Sequence, residues 1–168
     1  MIIKDLVYKT GCFYGKCSWM EFIKILFSDG TSCMVFYRMA KFFQRIKLGI
    51  VSWIILEINK LVNGCVIGRG VELGKGFVVM HGIGVVINSG VRGGENIVLE
   101  SGVVIGAAKS GMPIEVPQLG SNIFIGSGAK ILGGIRIGNN VKIGANAVVV
   151  KDVPDNVTVV GIPARILK

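Results

Sequence analysis

Apolar residues return every six positions through the C-terminal part of the chain, and this period constrains the fold more than any other feature. Glycine is frequent between the apolar positions. A six-residue unit is too short for a helical solenoid, but it fits one short strand and one tight turn with glycine or asparagine at positive φ. The repeats begin at Ile67, Leu73, Val79, Ile87, Gly93, Leu99, Ile105, Leu119, Ile125, Ile131, Ile137, Ile143 and Val149.

Three such units close one coil of a three-sided prism, and successive coils stack about 4.8 Å apart, the spacing of hydrogen-bonded strands. The aliphatic side chains then fill the interior of the prism. Gly93 stands in one slot where an aliphatic residue is expected. The repeat therefore predicts a mainly β protein, a parallel β-helix preceded by a small α-helical region.

Composition changes sharply near Asn63. Eleven of the 13 aromatic residues precede it, and 21 of the 25 glycines follow it. We therefore expect two domains, an α-helical region over residues 1–63 and a β-helix over residues 64–168.

The first region contains three apolar segments with helical spacing. They are Trp19–Phe27, Met34–Ile46 and Ile50–Val62. Ser28, Asp29 and Gly30 supply a turn between the first two, and Thr31 or Ser32 could cap the second. The aromatic residues here favour a small helical core. The alternative is an exposed face on a membrane, because Lys41, Arg45 and Lys47 lie beside Phe42 and Trp53.

Two breaks in the repeat point to a functional site. Two extra residues follow His81, since Val79 and Ile87 are eight positions apart. Such bulges often redirect a side chain next to a site. About eight further residues, Gly111–Gln118, are inserted between the repeats at Ile105 and Leu119. A loop inserted on a rigid prism is a natural place for substrate contacts.

The six-residue register predicts which residues stack at the bulge. His81 should form a column along one prism edge with Ser101 and Ser127, beside a second column of Met80 and Glu100. A histidine at a bulged edge has the position that a general base for acyl transfer needs. It is the only histidine of the chain, so we predict no metal site.

Charge and cysteine content narrow the remaining possibilities. The net charge of +9 favours an anionic partner, such as a phosphate-bearing cofactor, a glycan or a lipid surface. The basic residues are scattered and no recognition motif accompanies them, which argues against nucleic acid. The four cysteines match no zinc spacing and are expected to be reduced thiols. No signal peptide is recognised, so a cytoplasmic location is expected.

Several segments resemble the hexapeptide-repeat acetyltransferases, in particular the serine acetyltransferase branch. Residues 80–87, MHGIGVVI, are similar to the segment with that branch's catalytic histidine, and residues 125–133, IGSGAKILG, to its acetyl-CoA-binding coil. Residues 152–154, DVP, and 161–165, GIPAR, match its closing signature. The resemblance implies a left-handed β-helix, an acetyltransferase with His81 as general base, and a homotrimer with coenzyme A between adjacent prisms.

The resemblance also suggests roles for further residues. Ser127, Gly128 and Ala129 would line the pantetheine arm of acetyl-CoA, and Lys130, Lys142 or Lys151 would meet its phosphates. Glu100 or Glu72 would orient His81 as part of the catalytic apparatus. Backbone N–H groups near the bulge would hold the oxyanion.

Departures from the branch bear on the acceptor. Met80 stands where the branch has an aspartate, and the inserted loop has Glu115-Val116-Pro117 where the branch has arginine and histidine. A site without these charged residues would bind an amino acid poorly, because burying its ammonium or carboxylate without a partner is costly. The chain looks closer to the enzymes of colanic acid and capsule synthesis, which acetylate sugar hydroxyls.

We therefore predict an O-acetyltransferase acting on a saccharide, held by Met80, Asn88 and Ser101. The saccharide could be lipid-linked, with the enzyme at the inner face of the cytoplasmic membrane. Serine O-acetylation is the alternative acyl transfer. A non-catalytic scaffold is the alternative of another class.

Overall fold

The computed structural model describes residues 1–16, 18–109 and 114–167, and Cys17 and part of the inserted loop lie outside them. Four helices come first in this part of the chain. They are α1 (Ile2–Tyr14), α2 (Trp19–Leu26), α3 (Thr31–Arg45) and α4 (Gly49–Asn63). Helix α1 was not foreseen from the sequence.

Short strands follow from Val66 onward and build the three faces of a prism. The strands are β1 (Val66–Ile67), β2 (Glu72–Leu73), β3 (Val78–Val79), β4 (Val86–Ile87), β5 (Arg92–Gly93), β6 (Ile97–Leu99), β7 (Val104–Gly106), β8 (Gln118–Leu119), β9 (Ile123–Ile125), β10 (Lys130–Leu132), β11 (Arg136–Ile137), β12 (Lys142–Ile143), β13 (Val148–Val149), β14 (Thr158–Val160) and β15 (Arg165–Ile166).

From β1 to β13, every third strand belongs to the same sheet, as three-unit coils require. One sheet has the order β1-β4-β7-β10-β13, the second β11-β8-β5-β2, and the third β15-β14-β12-β9-β6-β3. The pairs are parallel, except for the antiparallel pair of β14 and β15 at the end of the chain. The predicted mainly β architecture with parallel strands is confirmed.

The strand register confirms both breaks in the repeat. Val79 pairs with Leu99, whereas Ile87 pairs with Ile105, so two more residues separate Val79 from Ile87 than separate Leu99 from Ile105. The register also shows the inserted loop. Ile105 pairs with Ile131, 26 positions on, which is eight more than the three six-residue units of one coil.

Aliphatic side chains fill the prism, and the turns use the residues that the repeat predicted. Gly93 is required because a Cβ there would lie 2.6 Å from Ile97 Cδ1 and 2.7 Å from Leu73 Cδ2. On one edge a ladder of asparagines adopts positive φ, and their side chains bond one another at 2.8–3.0 Å. The ladder consists of Asn96, Asn122, Asn140 and Asn156.

A buried ion pair joins the helices to the prism. Asp5 of α1 accepts from Arg38 Nε of α3 at 2.6 Å, and both side chains are almost wholly buried. Asp5 also accepts from the backbone N–H groups of Gly76 and Phe77, and Arg38 donates to the Leu73 carbonyl at 2.9 Å. The pair thus fixes α1 and α3 against the start of the prism.

Helices and strands change over at Gly64, which ends α4 with φ 59°. Cys33, Met34 and Tyr37 of α3 nevertheless belong to the same apolar cluster as the prism interior. The division at residue 63 into two domains stays a prediction.

The helical region departs from the expected amphipathic pattern. Helix α3 begins after Gly30, which makes no side-chain cap, so the capping roles predicted for Thr31 and Ser32 are wrong. Helix α4 buries Ser52 and Asn59, while Trp53 remains exposed. The predicted aromatic core is therefore only partly formed.

No helix in the described ranges is long and apolar enough to cross a bilayer.

Candidate active site

The side chain of His81 stands at the prism edge just after β3, and a carboxylate from the helical region holds it. Its Nδ1 lies 2.8 Å from Asp29 Oδ2. The two residues are 52 positions apart. Both side chains remain more than half exposed. An imidazole held at Nδ1 by a carboxylate can direct Nε2 toward a bound acceptor.

A network of buried groups shapes the turn that carries Asp29. The Thr31 hydroxyl donates to the Ile25 carbonyl at 2.8 Å. The Ser28 hydroxyl lies 3.1 Å from the Thr31 hydroxyl. The buried ammonium of Lys9 donates to the Asp29 carbonyl and, at 3.1 Å, to the Thr31 hydroxyl. These bonds fix the backbone of the turn and hence the direction of the Asp29 side chain.

Gly30 brings this turn against the prism. Its φ is 72°, and an added Cβ would lie 2.3 Å from the Val79 carbonyl oxygen. Only glycine permits both the left-handed backbone and this close approach. The turn therefore lies directly against the end of β3, next to His81.

The electrostatics of the pair favour an ionised carboxylate. The hydrogen bond from His81 is the main cause that lowers the pKa of Asp29, and the Gly30 N–H and the charge of Lys9 act in the same direction. Asp29 therefore remains negative near neutral pH. In this state its carboxylate can accept the hydrogen bond from His81 Nδ1.

The orienting residues predicted from the sequence are corrected. Glu72 forms an ion pair with Arg92 on another face of the prism. Glu100 follows β6, one coil beyond Met80, and the structure records no bond from it to His81 among the described residues. Sequence reasoning treated Asp29 only as a turn former. Periodicity within the prism carries no information about a carboxylate that the helical region supplies.

The predicted column at this edge agrees with the register. Val79, Leu99 and Ile125 pair in one row, which places His81, Ser101 and Ser127 in successive coils. Met80, predicted to contact substrate, is partly buried and packs against the prism core. Asn88, predicted to contact the same substrate, follows β4 at a different edge, where its side-chain oxygen accepts from the N–H of Gly90.

The residues expected to line the pantetheine arm of acetyl-CoA differ in their exposure. Ser127 is exposed, and Gly128 beside it adopts φ 73°. Ala129 is fully buried and its N–H and carbonyl both bond other coils or turns, so it presents nothing to a ligand. Its predicted role is therefore wrong.

The three predicted phosphate-binding lysines lie on two faces. Lys130 belongs to the sheet that contains β13, and its ammonium donates to the Gly102 carbonyl at 2.7 Å. Lys151 is exposed just after β13. Lys142 lies in β12 of another sheet. One prism therefore does not bring all three to a common ligand.

The inserted loop lies only partly within the described ranges. Val116 packs partly buried against the core, while residues 111–113, for which substrate contacts were predicted, are outside the described residues. In the described part of the chain, no cluster of histidine, cysteine, aspartate or glutamate could hold a metal ion.

Comparisons with known proteins agree with this architecture. Residues 117–151 match the family model described as bacterial transferase hexapeptide (six repeats). The chain is 36% identical over 143 residues to a serine acetyltransferase of Synechococcus elongatus, covering 85% of the chain and 59% of that protein. It therefore spans about three fifths of this relative's length. A serine acetyltransferase of Helicobacter pylori is 33% identical over 84% of the chain and 82% of its own length.

A solved structure shows the same relationship. Soybean serine acetyltransferase complexed with serine superposes with a TM-score of 0.88 at 28% identity, covering 99% of this chain and 68% of that one. A coenzyme A complex is known for another matching serine acetyltransferase. These relatives confirm the prediction of an acyltransferase family that uses acetyl-CoA.

The comparisons overturn the predicted saccharide acceptor and favour the alternative, serine. The resemblance to polysaccharide O-acetyltransferases, the lipid-linked acceptor and the membrane contact find no support in these relatives. The prediction of a saccharide rested on the absence of an aspartate at position 80 and of arginine and histidine in the inserted loop. The fold nevertheless brings the Asp29 carboxylate to the same edge. The chain belongs to the serine acetyltransferase family of hexapeptide-repeat transferases.

Proposed function

We propose that this chain transfers the acetyl group of acetyl-CoA to the hydroxyl of serine. The observation that carries the proposal is the 2.8 Å contact between His81 Nδ1 and Asp29 Oδ2 at an exposed prism edge. Family membership supplies the acetyl donor and favours the acceptor.

His81 acts as the general base in this mechanism. With its Nδ1–H donated to Asp29, its Nε2 carries the lone pair and takes the proton of the serine hydroxyl. The hydroxyl oxygen forms a bond to the thioester carbonyl carbon. The carbon–sulfur bond then breaks, and the coenzyme A thiolate leaves with the proton that His81 returns.

The bulge supplies donors for the oxyanion of this step. Within the described residues, no acceptor is recorded for the backbone N–H groups of Gly82 and Ile83, which directly follow His81. Backbone donors fixed next to the base are the groups that stabilise a tetrahedral oxyanion. Asp29 contributes the negative charge that a serine ammonium at this edge requires.

Acetyl-CoA binding is assigned to the edge beyond His81. Exposed Ser127 and the left-handed turn at Gly128 fit a pantetheine arm lying along the prism, and Lys142 or Lys151 fits its phosphates. A single prism offers only one wall for such a groove, so the proposal includes a homotrimer. It also includes the left-handed winding of the coils.

A cytoplasmic location completes the proposal. Cys33 and Cys65 are free, fully buried thiols, with their sulfurs 2.8 Å apart. The hydrogen bond with Cys33, followed by burial, raises the pKa of Cys65, so it stays a thiol. Reduced thiols are typical of cytoplasmic proteins.

The test is thiol release from acetyl-CoA with serine, with O-acetylserine identified by mass spectrometry. Ethanolamine lacks the carboxylate of serine and N-acetylserine lacks its ammonium, so both serve as matched acceptors. We expect serine to be preferred over both. Equal rates with the three acceptors, or no serine-dependent thiol release, would contradict the proposal.

A further inference from the structure

A second concave site lies away from His81, between α1, α3 and the outer face of β2 and β5. We call it the α1–α3 cleft. Its volume is about 1010 Å³, and its walls include Ile3 of α1, Arg92 of β5 and, from α3, Met39, Lys41, Phe42, Gln44 and Arg45. Lys41 lies ten residues beyond Thr31 along α3, which is about 15 Å at the helical rise per residue. The α1–α3 cleft is therefore separate from the turn that carries Asp29.

Two basic side chains in this cleft lack acidic partners. Lys41 and Arg45 are one turn apart on α3, so their like charges repel each other. The structure records an ion pair for neither, within the ranges that it describes, and the partner of Lys41 is the neutral Gln44 side chain at 3.0 Å. The cleft thus carries uncompensated positive charge.

The other charged side chains that line the cleft are already paired. Arg92 pairs with Glu72 on the adjacent strand. Arg38 is saturated by Asp5 and the Leu73 carbonyl. Burial lowers the pKa of Lys41; Glu72 opposes this effect, whereas Arg45 and Arg92 reinforce it. An anion bound between Lys41 and Arg45 would offset both the repulsion between these two cations and the cost of burying Lys41.

Apolar side chains occupy the rest of the cleft. Phe42 is 58% exposed, Met39 38% and Ile3 70%, although all three line this concave surface. Apolar walls with a few convergent charges are typical of small-molecule sites, and the volume is at the upper end of their range. A bare phosphate or carboxylate would leave most of the cleft empty.

We propose that the α1–α3 cleft binds a small amphiphilic anion, with its phosphate or carboxylate head between Lys41 and Arg45 and its apolar tail over Phe42 and Met39. Such a ligand matches both the charge and the apolar surface of the cleft. The site goes beyond the proposed acetyl transfer, since none of its residues takes part in that reaction.

Calorimetric titration of the assembled protein with octyl phosphate, below its micelle-forming concentration, tests the proposal. We expect saturable binding with one ligand per chain. Lys41→Gln and Arg45→Gln should each weaken it about tenfold, the scale of one charge-assisted hydrogen bond. Lys24→Gln, an exposed cation on α2, is the matched control and should bind like the wild type.

Three further ligands separate the contributions of head, tail and source. Inorganic phosphate and octyl glucoside should each bind at least tenfold more weakly than octyl phosphate. Binding to vesicles of anionic phospholipid would indicate a lipid headgroup as the natural source of the anion. Binding of octyl phosphate without binding to these vesicles would indicate a free amphiphile. Absence of saturable octyl phosphate binding, or equal binding by the Lys41→Gln/Arg45→Gln double variant, would overturn the proposal. The titration requires no turnover, so its result is independent of the serine assay.

Discussion

The interior of the prism is almost entirely aliphatic, whereas the helical region over residues 1–63 buries polar and charged side chains. Lys9, Asp5 and Arg38 are almost inaccessible, while Trp19 and Phe27 are 76% and 88% exposed. The prism is stabilised by many interchangeable apolar contacts. The helical region depends on a few specific bonds that join residues far apart in sequence.

This difference matters for function because each region supplies one member of the catalytic pair. His81 belongs to the prism and Asp29 to the helical region. Substitution of His81 in the prism should therefore remove the base itself. Damage to the helical region should act through its position or through the stability of the whole chain.

The largest effect is expected from His81→Ala, which removes the base. We expect the rate of serine acetylation to fall by a factor on the order of a thousand or more, within the range for loss of general-base catalysis. Thermal unfolding should be unchanged, because the side chain is more than half exposed. A variant that retains most of its activity would exclude His81 from the mechanism.

Asp5→Ala should produce the largest loss of stability in the helical region. Arg38 would remain buried without its carboxylate, and the N–H groups of Gly76 and Phe77 would lose their acceptor. Breaking a buried pair in this way costs about 3–5 kcal/mol in the free energy of unfolding. Urea denaturation measures the change.

A matched substitution in the prism sharpens the contrast with Asp5→Ala. Leu99→Ala removes a fully buried aliphatic side chain, which costs about 2–5 kcal/mol. Replacing both Asp5 and Arg38 by apolar residues should recover part of the loss from Asp5→Ala, since paired charges can be exchanged for apolar contacts. A double variant less stable than Asp5→Ala would contradict this account of the helical region.

Asp29→Asn should lower kcat by about ten- to a hundredfold, less than for a fully buried catalytic aspartate, because solvent screens an exposed pair. The amide retains the shape of the carboxylate but not its charge. Asp29→Glu serves as the conservative rescue, and we expect it to be more active than Asp29→Asn. Wild-type kcat in Asp29→Asn would show that the 2.8 Å contact has no catalytic role.

The smallest effect concerns the pH dependence of stability at Lys9. Burial lowers the pKa of its ammonium to about 8 from 10.5. Between these pH values the unfolded chain binds the proton that the folded chain has released, so the contribution of Lys9 to stability increases with pH. The gain is at most about 3 kcal/mol between pH 8 and 10.5.

Comparison with Lys9→Met isolates this contribution from tyrosines and cysteines that titrate in the same range. We expect the free energy of unfolding of the wild type, minus that of Lys9→Met, to rise from pH 8 to 10.5. A constant difference across that range would show that Lys9 is not held as an unfavourably buried ammonium.

The sequence by itself determined the prism and its irregularities. A six-residue period repeats local chemistry, so it fixed the strand register, the column of His81, Ser101 and Ser127, the bulge after His81 and the inserted loop. Each of these follows from counting along the chain, because a solenoid places equivalent positions of successive coils next to each other.

Only the tertiary structure decided which groups surround His81. Asp29, Lys9 and Gly30 reach the edge through the packing of α1 and α3 against β3, and no period relates them to the prism. The same packing buried Asp5 with Arg38 and formed the α1–α3 cleft. Contacts between a helical segment and a solenoid depend on the angle and depth of packing, which are properties of the assembled chain.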